Sequence, residues 1–143
     1  MRIGAVPTLE DCRSMLEAAS PAVLTTYRRD GSALTSPVWY RWTGAQFEVV
    51  IASDDVKVEH LTRDPSCILV VFEVSRPFRG VEVRGEAELH RGDVTEPRTA
   101  IATRYLGAEA GGRFAAARSS DAVLVRLGAE GARFWDLARI LPD

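Results

Sequence analysis

Lysine is almost missing from this chain: of its 18 basic residues only Lys57 is a lysine, and the others are arginines. Histidine is nearly as scarce, with His60 and His90, and cysteine occurs only as Cys12 and Cys67. Each scarcity excludes a chemistry. Two histidines, with neither G-x-S-x-G nor H-E-x-x-H around them, leave no hydrolase triad and no zinc-protease helix. The two cysteines have no zinc spacing; one falls on an apolar-faced helix and one in an apolar strand, and they read as buried free thiols. The dinucleotide fingerprint G-x-G-x-x-G and the phosphate-binding P-loop are both missing. No apolar run approaches the length of a membrane span. Residues 1–12 contain no apolar signal-peptide segment. The net charge is −2 and the pI about 5.7, with no basic stripe, which argues against duplex nucleic acid as a partner. The expectation is a cytoplasmic protein with a single domain over 1–143. Its Ala/Arg-rich, Lys-poor usage suggests a GC-rich bacterial genome. If it is an enzyme, a borrowed cofactor does the chemistry.

What is present is an ordinary globular composition, 46% hydrophobic and 27% charged, at a length sufficient for one core. Thr8 and Asp11 form a variant of the capping-box pattern, and Leu9, Cys12, Met15 and Leu16 then share a helical face. Strands are expected over 21–28, 33–42, 46–52, 66–73, 81–89, 121–127 and 132–138. Asp30-Gly31, Thr43-Gly44 and "GAEG" mark turns between some of them. Pro37 places its strand at an edge or a bulge, and Gly85 suggests a bulge or a close approach. A helix capped by Ser53 runs to about Asp64, and another spans 93–106. Residues 107–120 read as a loop, with one helical turn around Phe114 at most. Seven strands in consecutive hairpins and three helices predict a mainly β, antiparallel barrel.

Three stretches hold candidate chemistry. Lys57 lies near a helix N-terminus; with free N–H groups and the Ser53 hydroxyl it suits a phosphate. Equally, it is a solvated helix residue paired with Asp54 or Asp55. In "TSPVWYRW", strand geometry puts Trp39 and Arg41 on one face and Tyr40 and Trp42 on the other. With aromatics on both faces, one face meets a ligand or a second subunit, unless both pack a core. "RPFRG" offers an anion or aromatic contact through Phe78 and its flanking arginines, or is a plain polar turn.

In order, "AVLTTYRRDGS", "SPVW", the strand ending in "VVIAS", the spaced Lys57, "LTRDP" and the buried "SCILVVF" resemble the flavin- and deazaflavin-binding split-barrel family, the pyridoxamine 5′-phosphate oxidase-like proteins. "VEVRGEAEL" extends the resemblance, which covers about residues 20 to 90; the last third matches in outline only. The resemblance implies a six-stranded Greek-key split barrel, six- to seven-stranded with the closing strands. It also implies a homodimer with cofactor sites at the interface. Lys57 would contact the cofactor phosphate. The ring would lie along Ser36, Pro37, Val38 and Trp39 and along Ile51, Ala52 and Ser53. His60 falls near the phosphate, and Phe78 and Arg79 where the second subunit reaches over the ring. Family members that use the deazaflavin F420 often carry a base two positions before the lysine. Asp55 stands there instead, which favours FMN. The longer C-terminal extension of true pyridoxamine phosphate oxidases is not matched, which speaks against vitamin B6 oxidation. The expectation is an FMN-dependent oxidoreductase acting on a small molecule, with no named catalytic side chain; Arg79 and His60 are the weak candidates for an acid. The alternatives are an F420-dependent reductase and a non-catalytic flavin, haem or tetrapyrrole binder.

Overall fold

The computed structural model describes residues 6–118 and 121–143. Residues 1–5, part of the segment read for a signal sequence, and 119–120, the end of the expected loop, lie outside the described residues. Thr8 opens helix α1 (Leu9–Glu17) with the expected capping box: its N–H donates to Asp11 Oδ2 at 2.8 Å, and the Asp11 N–H donates to Thr8 Oγ1 at 3.4 Å. Two otherwise orphaned first-turn donors are satisfied in this way. Cys12, Met15 and Leu16 form the buried face.

Strands β1 (Ala22–Tyr27) and β2 (Ala33–Val38) form a hairpin. Gly31 supplies the positive φ of its turn, and the Asp30 carboxylate accepts from the Ser32 N–H at 2.9 Å. The expected strand 33–42 is in fact two. β2 pairs with β1, whereas β3 (Arg41–Trp42) pairs with β4 (Gln46–Ala52) in a different sheet. Trp39 and Tyr40 carry the chain across. Pro37 sits on an edge strand, where its missing N–H costs least.

The alternating segment 81–89 also divides, into β6 (Gly80–Glu86) and β7 (Glu88–His90). At the break, the Ala87 N–H donates to Pro65 O at 2.9 Å. β6 lies between β5 (Ser66–Phe72) and β9 (Ala132–Trp135), and β7 pairs with β8 (Ala122–Gly128). Among the described residues the seven expected strands are therefore nine. They form two antiparallel sheets, β2-β1-β5-β6-β9 and β3-β4-β8-β7. The inner faces meet in one core of Leu24, Leu69, Val81 and Val83 against Phe47, Val49, Val123 and Val125. At Gly85 the sheets approach each other closely: a Cβ there would stand 3.1 Å from Leu127 Cδ1. The fold is mainly β and antiparallel, as a split barrel requires.

The sequence reading misplaced two helical boundaries. Helix α2 (Val56–Arg63) is capped by Asp55, whose Oδ1 accepts from the Lys57 N–H at 2.9 Å, and not by Ser53. Beyond α3 (Thr95–Leu106), the expected loop is a second helix, α4 (Ala108–Ala117). Its alanines favour helix. The glycines that suggested a loop serve packing: a Cβ on Gly111 would stand 2.6 Å from Thr103 Cα of α3. Among the described residues no helix is long and apolar enough to cross a bilayer. Cys12 and Cys67 are buried free thiols, each pushed up to about 11 by burial.

Candidate cofactor site

The switch from β2 to β3 leaves Trp39 outside the barrel wall, facing the α3–α4 hairpin. Its indole stacks on Tyr105 of α3, with ring centroids 5.0 Å apart and an 8° interplanar angle. Phe114 of α4 meets it at 5.2 Å and 47°. Tyr40, one residue on, points the other way: it is fully buried, and its hydroxyl donates to Leu16 O at 2.9 Å. Trp42 packs on Phe47 at 4.6 Å. The expected division of the aromatics therefore holds for these three side chains. What covers the outer face is helix from the same chain.

Beside Trp39 opens a cavity of about 350 Å³, within the range of small-molecule sites. Six of the residues predicted from sequence line it: Pro37, Val38 and Trp39 at the end of β2, Ile51 and Ala52 at the end of β4, and Lys57 on α2. The Lys57 side chain is only 14% exposed, and its Nζ lies 3.0 Å from Asp55 Oδ2. Of the two partners weighed for Lys57, Asp55 is the one it takes, at a site far less solvated than a surface helix charge. Asp55 thus has two tasks, capping α2 and pairing with the ammonium. Burial alone would raise its carboxyl; the Lys57 N–H and ammonium outweigh burial and hold it below its usual value. Of the N–H groups expected to be free at this helix start, those of Lys57 and Val58 are taken, by the Asp55 carboxylate and the Asp55 carbonyl.

The other predicted residues lie elsewhere. Ser36 is on β2, opposite Leu24 in the register, and does not line the cavity. Ser53 lines a separate surface depression with Arg29, Asp54 and Arg91. His60 is buried against β1, its Nδ1 2.9 Å from Thr26 Oγ1, a buried polar pair inside the barrel wall. Phe78 and Arg79 lie in the turn between β5 and β6. The Arg79 guanidinium forms a fork on Glu73, with Nε to Oε1 at 2.8 Å and Nη2 to Oε2 at 3.0 Å. It also reaches α1, donating to Ser14 Oγ at 3.0 Å. Within one chain, Arg79 is a brace between α1 and the β5–β6 turn.

Sequence reasoning missed the residues that α3 and α4 contribute. Arg98, Ile101 and Ala102 of α3 line the cavity, as do Phe114 and, just past the end of α4, Arg118. The Arg118 guanidinium lies 4.3 Å from the Phe114 ring centroid. Burial, with the Arg118 charge added, pulls Arg98 below the usual arginine value. The signal was present: Arg98, Ile101 and Ala102 are spaced i, i+3, i+4, and Phe114 and Arg118 are i, i+4. Reading 107–120 as a loop hid the second pair. The Tyr105 hydroxyl donates to Ser20 O at 2.8 Å, and burial pushes it up to about 12. Among the described residues no three His, Cys, Asp or Glu side chains converge on a metal position.

The same architecture occurs in solved structures. A conserved hypothetical protein from Mycobacterium tuberculosis aligns with TM-score 0.84 and 21% identity, over 100% of this chain and 94% of that one. A protein described as an F420 reductase aligns with TM-score 0.68 and 21% identity, over 84% and 94%. A FAD-binding protein from Mesorhizobium loti aligns with TM-score 0.68 and 18% identity, over 91% and 95%. At these identities the likeness is one of fold. No curated protein matches the sequence. The profile of the pyridoxamine 5′-phosphate oxidase family spans residues 8–136, from the cap of α1 to the end of β9, and the chain belongs to that family.

Proposed function

We propose that this protein is an FMN-binding oxidoreductase that exchanges hydride between the flavin and a small-molecule substrate. It would work as a homodimer with its cofactor sites at the interface. One observation carries the reading: six residues, predicted from separate sequence segments to flank a cofactor, line one cavity. The lining suits a phosphorylated ring system. Trp39 and Phe114 offer flat aromatic surface, Val38, Ile51 and Ile101 an apolar one, and Lys57 with the two arginines positive charge. A bound flavin supplies the hydride chemistry, so the protein need only orient the ring, exclude water and balance charge. Three cations and one carboxylate line the cavity, an excess of two positive charges that one phosphate dianion matches.

The F420 reading keeps one specific support. Asp55, the carboxylate that spoke against an acidic tail, is neutralised by Lys57 at 3.0 Å. The haem reading has less: the cavity lining contains no histidine, cysteine, methionine or tyrosine to serve as an axial ligand.

Titration of the purified protein with FMN, followed by absorbance and flavin fluorescence, tests the proposal. Binding at micromolar concentration is expected, weakened in Lys57→Ala. No spectral change with FMN overturns the reading; a response to F420 alone moves it to the deazaflavin. Light scattering checks the dimer. Phe78→Ala, which touches the turn expected to reach the partner's site, should weaken FMN binding only if that site is shared.

A further inference from the structure

A second cavity, of about 610 Å³, shares Pro37, Val38, Trp39 and Phe114 with the Lys57 cavity. Its other walls are Ala19 and Pro21 between α1 and β1, Ala22 at the start of β1, and Tyr105 of α3. The two linings differ in charge. The first holds Lys57, Arg98, Arg118 and Asp55, whereas the second holds no charged side chain. The polar side-chain atoms of the second lining are the Trp39 indole N–H and the Tyr105 hydroxyl. That hydroxyl is already engaged, donating to Ser20 O at 2.8 Å and accepting from the Tyr40 N–H at 3.4 Å. A charged group entering here would give up water and meet no counter-ion, which is costly. A flat apolar molecule would give up little and cover indole, phenol and phenyl surface.

Apolar exposure is concentrated in this hollow. Trp39 lines it, whereas the other exposed large hydrophobics, Val6, Val56, Val74, Leu106 and Ile140, do not. A subunit interface needs a broad patch on each partner. A concave, aromatic-walled hollow of several hundred Å³ with one or two polar groups is the form of a small-molecule site. We propose that this second cavity is the substrate site, and that the substrate is an uncharged, largely apolar molecule carrying an aromatic ring. The shared wall makes the occupants of the two cavities neighbours. That the ligand is a substrate rests on the FMN reading; that the cavity selects a neutral ring does not.

The probe is 2-naphthol, a neutral fused ring whose fluorescence reports its surroundings. It is titrated into the wild type, Ala19→Trp and Ala19→Asp, with and without saturating FMN, and circular dichroism melts verify folding. Ala19 is exposed in the turn after α1 and lines the second cavity but not the first. A bulky side chain there fills the hollow; the aspartate puts a charge at the same rim and keeps the test valid if Ala19→Trp fails to fold. Naphthol should bind the wild type whether or not FMN is present, and about tenfold or more weakly in both variants. FMN affinity should be the same in all three proteins. The same ring carrying an ammonium, 2-naphthylmethylamine, should bind about tenfold or more weakly than naphthol even in high salt, where repulsion by the neighbouring cations is screened. Naphthol binding that is absent, equal in wild type and variants, or displaced by FMN overturns the proposal. So does an amine that binds as tightly as naphthol. A dimer in light scattering that Ala19→Trp dissociates would give the hollow to a second copy of the chain and overturn it as well. Naphthol binding that depends on Ala19, with no binding of FMN, would leave the neutral-ring site standing and the FMN reading overturned.

Discussion

Two clusters of charge lie along strand β4 and helix α3, and they are built on opposite principles. In one, Glu48 is a core residue, 4% exposed, and accepts from Arg41 at 2.6 and 2.9 Å and from Arg126 at 3.0 Å. Arg41 forks onto Glu96 as well, at 2.7 and 2.9 Å. Two arginines meet two carboxylates, and the hydrogen bonds to Glu96 and Glu48 hold Arg41 above its usual value despite burial. In the other, Lys57, Arg98 and Arg118 share one cavity with a single carboxylate. The first cluster is complete within the chain and ties β3, β4, β8 and α3 together. The second carries more cations than carboxylates in its lining. Both use arginine; they differ in the balance of charge around it.

Breaking the balanced cluster should have the larger effect. Glu48→Ala removes the shared acceptor and leaves Arg41 and Arg126 facing the space it filled. We expect a loss of about 3 kcal/mol, near the low end for breaking a buried pair, because Arg126 is partly exposed and Arg41 keeps Glu96. Arg118→Ala, on the unbalanced side, should cost at most about 1 kcal/mol, the worth of its contact with Phe114. Urea denaturation of the two variants checks the contrast. Equal losses would mean that the cavity cations are structural too.

The aromatic side of the cavity sharpens the same distinction. Trp39 is 37% exposed, whereas Tyr40 is wholly enclosed. Trp39→Ala should weaken flavin binding by about tenfold, because a stacking surface is worth roughly 0.5–1.5 kcal/mol beyond its buried area. Tyr40→Phe should leave flavin binding unchanged and lower stability by about 1 kcal/mol, through loss of the bond to Leu16 O. Flavin titrations beside thermal melts separate the two. A Trp39 variant that loses stability and keeps its flavin affinity would make Trp39 part of the core.

The sequence made the barrel legible because strands, turns and the α1 cap are local patterns. Residues 22–27, 46–52 and 66–72 declare themselves by composition, and Thr8 by its spacing from Asp11. Changes of sheet at Trp39–Tyr40 and at Ala87 are not local. Nothing in "SPVWYRW" says that its two ends pair with different strands; only the register does. On the site side, the ends of β2 and β4 and Lys57 were readable as an ordered set. Arg98 and Arg118 were not, because two adjacent glycines in α4 look like loop until the close approach of Gly111 to α3 explains one of them. His60 and Arg79 lie outside the Lys57 cavity within the one chain. Each is a polar residue with a partner inside its own chain, Thr26 and Glu73 respectively.

The smallest expected effect isolates Asp55, the residue in which capping and charge balance meet. Asparagine caps helices about as well as aspartate, so Asp55→Asn keeps an acceptor for the Lys57 N–H. It removes the one negative charge in the cavity lining and frees the ammonium. Pyrophosphate or FMN should bind several-fold more tightly to this variant at pH 7, and the gain should shrink at high salt. Stability should fall by only a few tenths of a kcal/mol, because the ion pair is partly exposed. The sign with pH follows from the lowered carboxyl of Asp55. The carboxylate's contribution is fully present above the unfolded-state pKa and is lost as the pH falls through the lower folded-state value. Wild type and Asp55→Asn should therefore differ in urea denaturation at pH 7 and converge in acid. A difference that persists below the carboxylate range would show that the side chain acts through its cap alone, and that its charge is not what limits anion binding in the cavity.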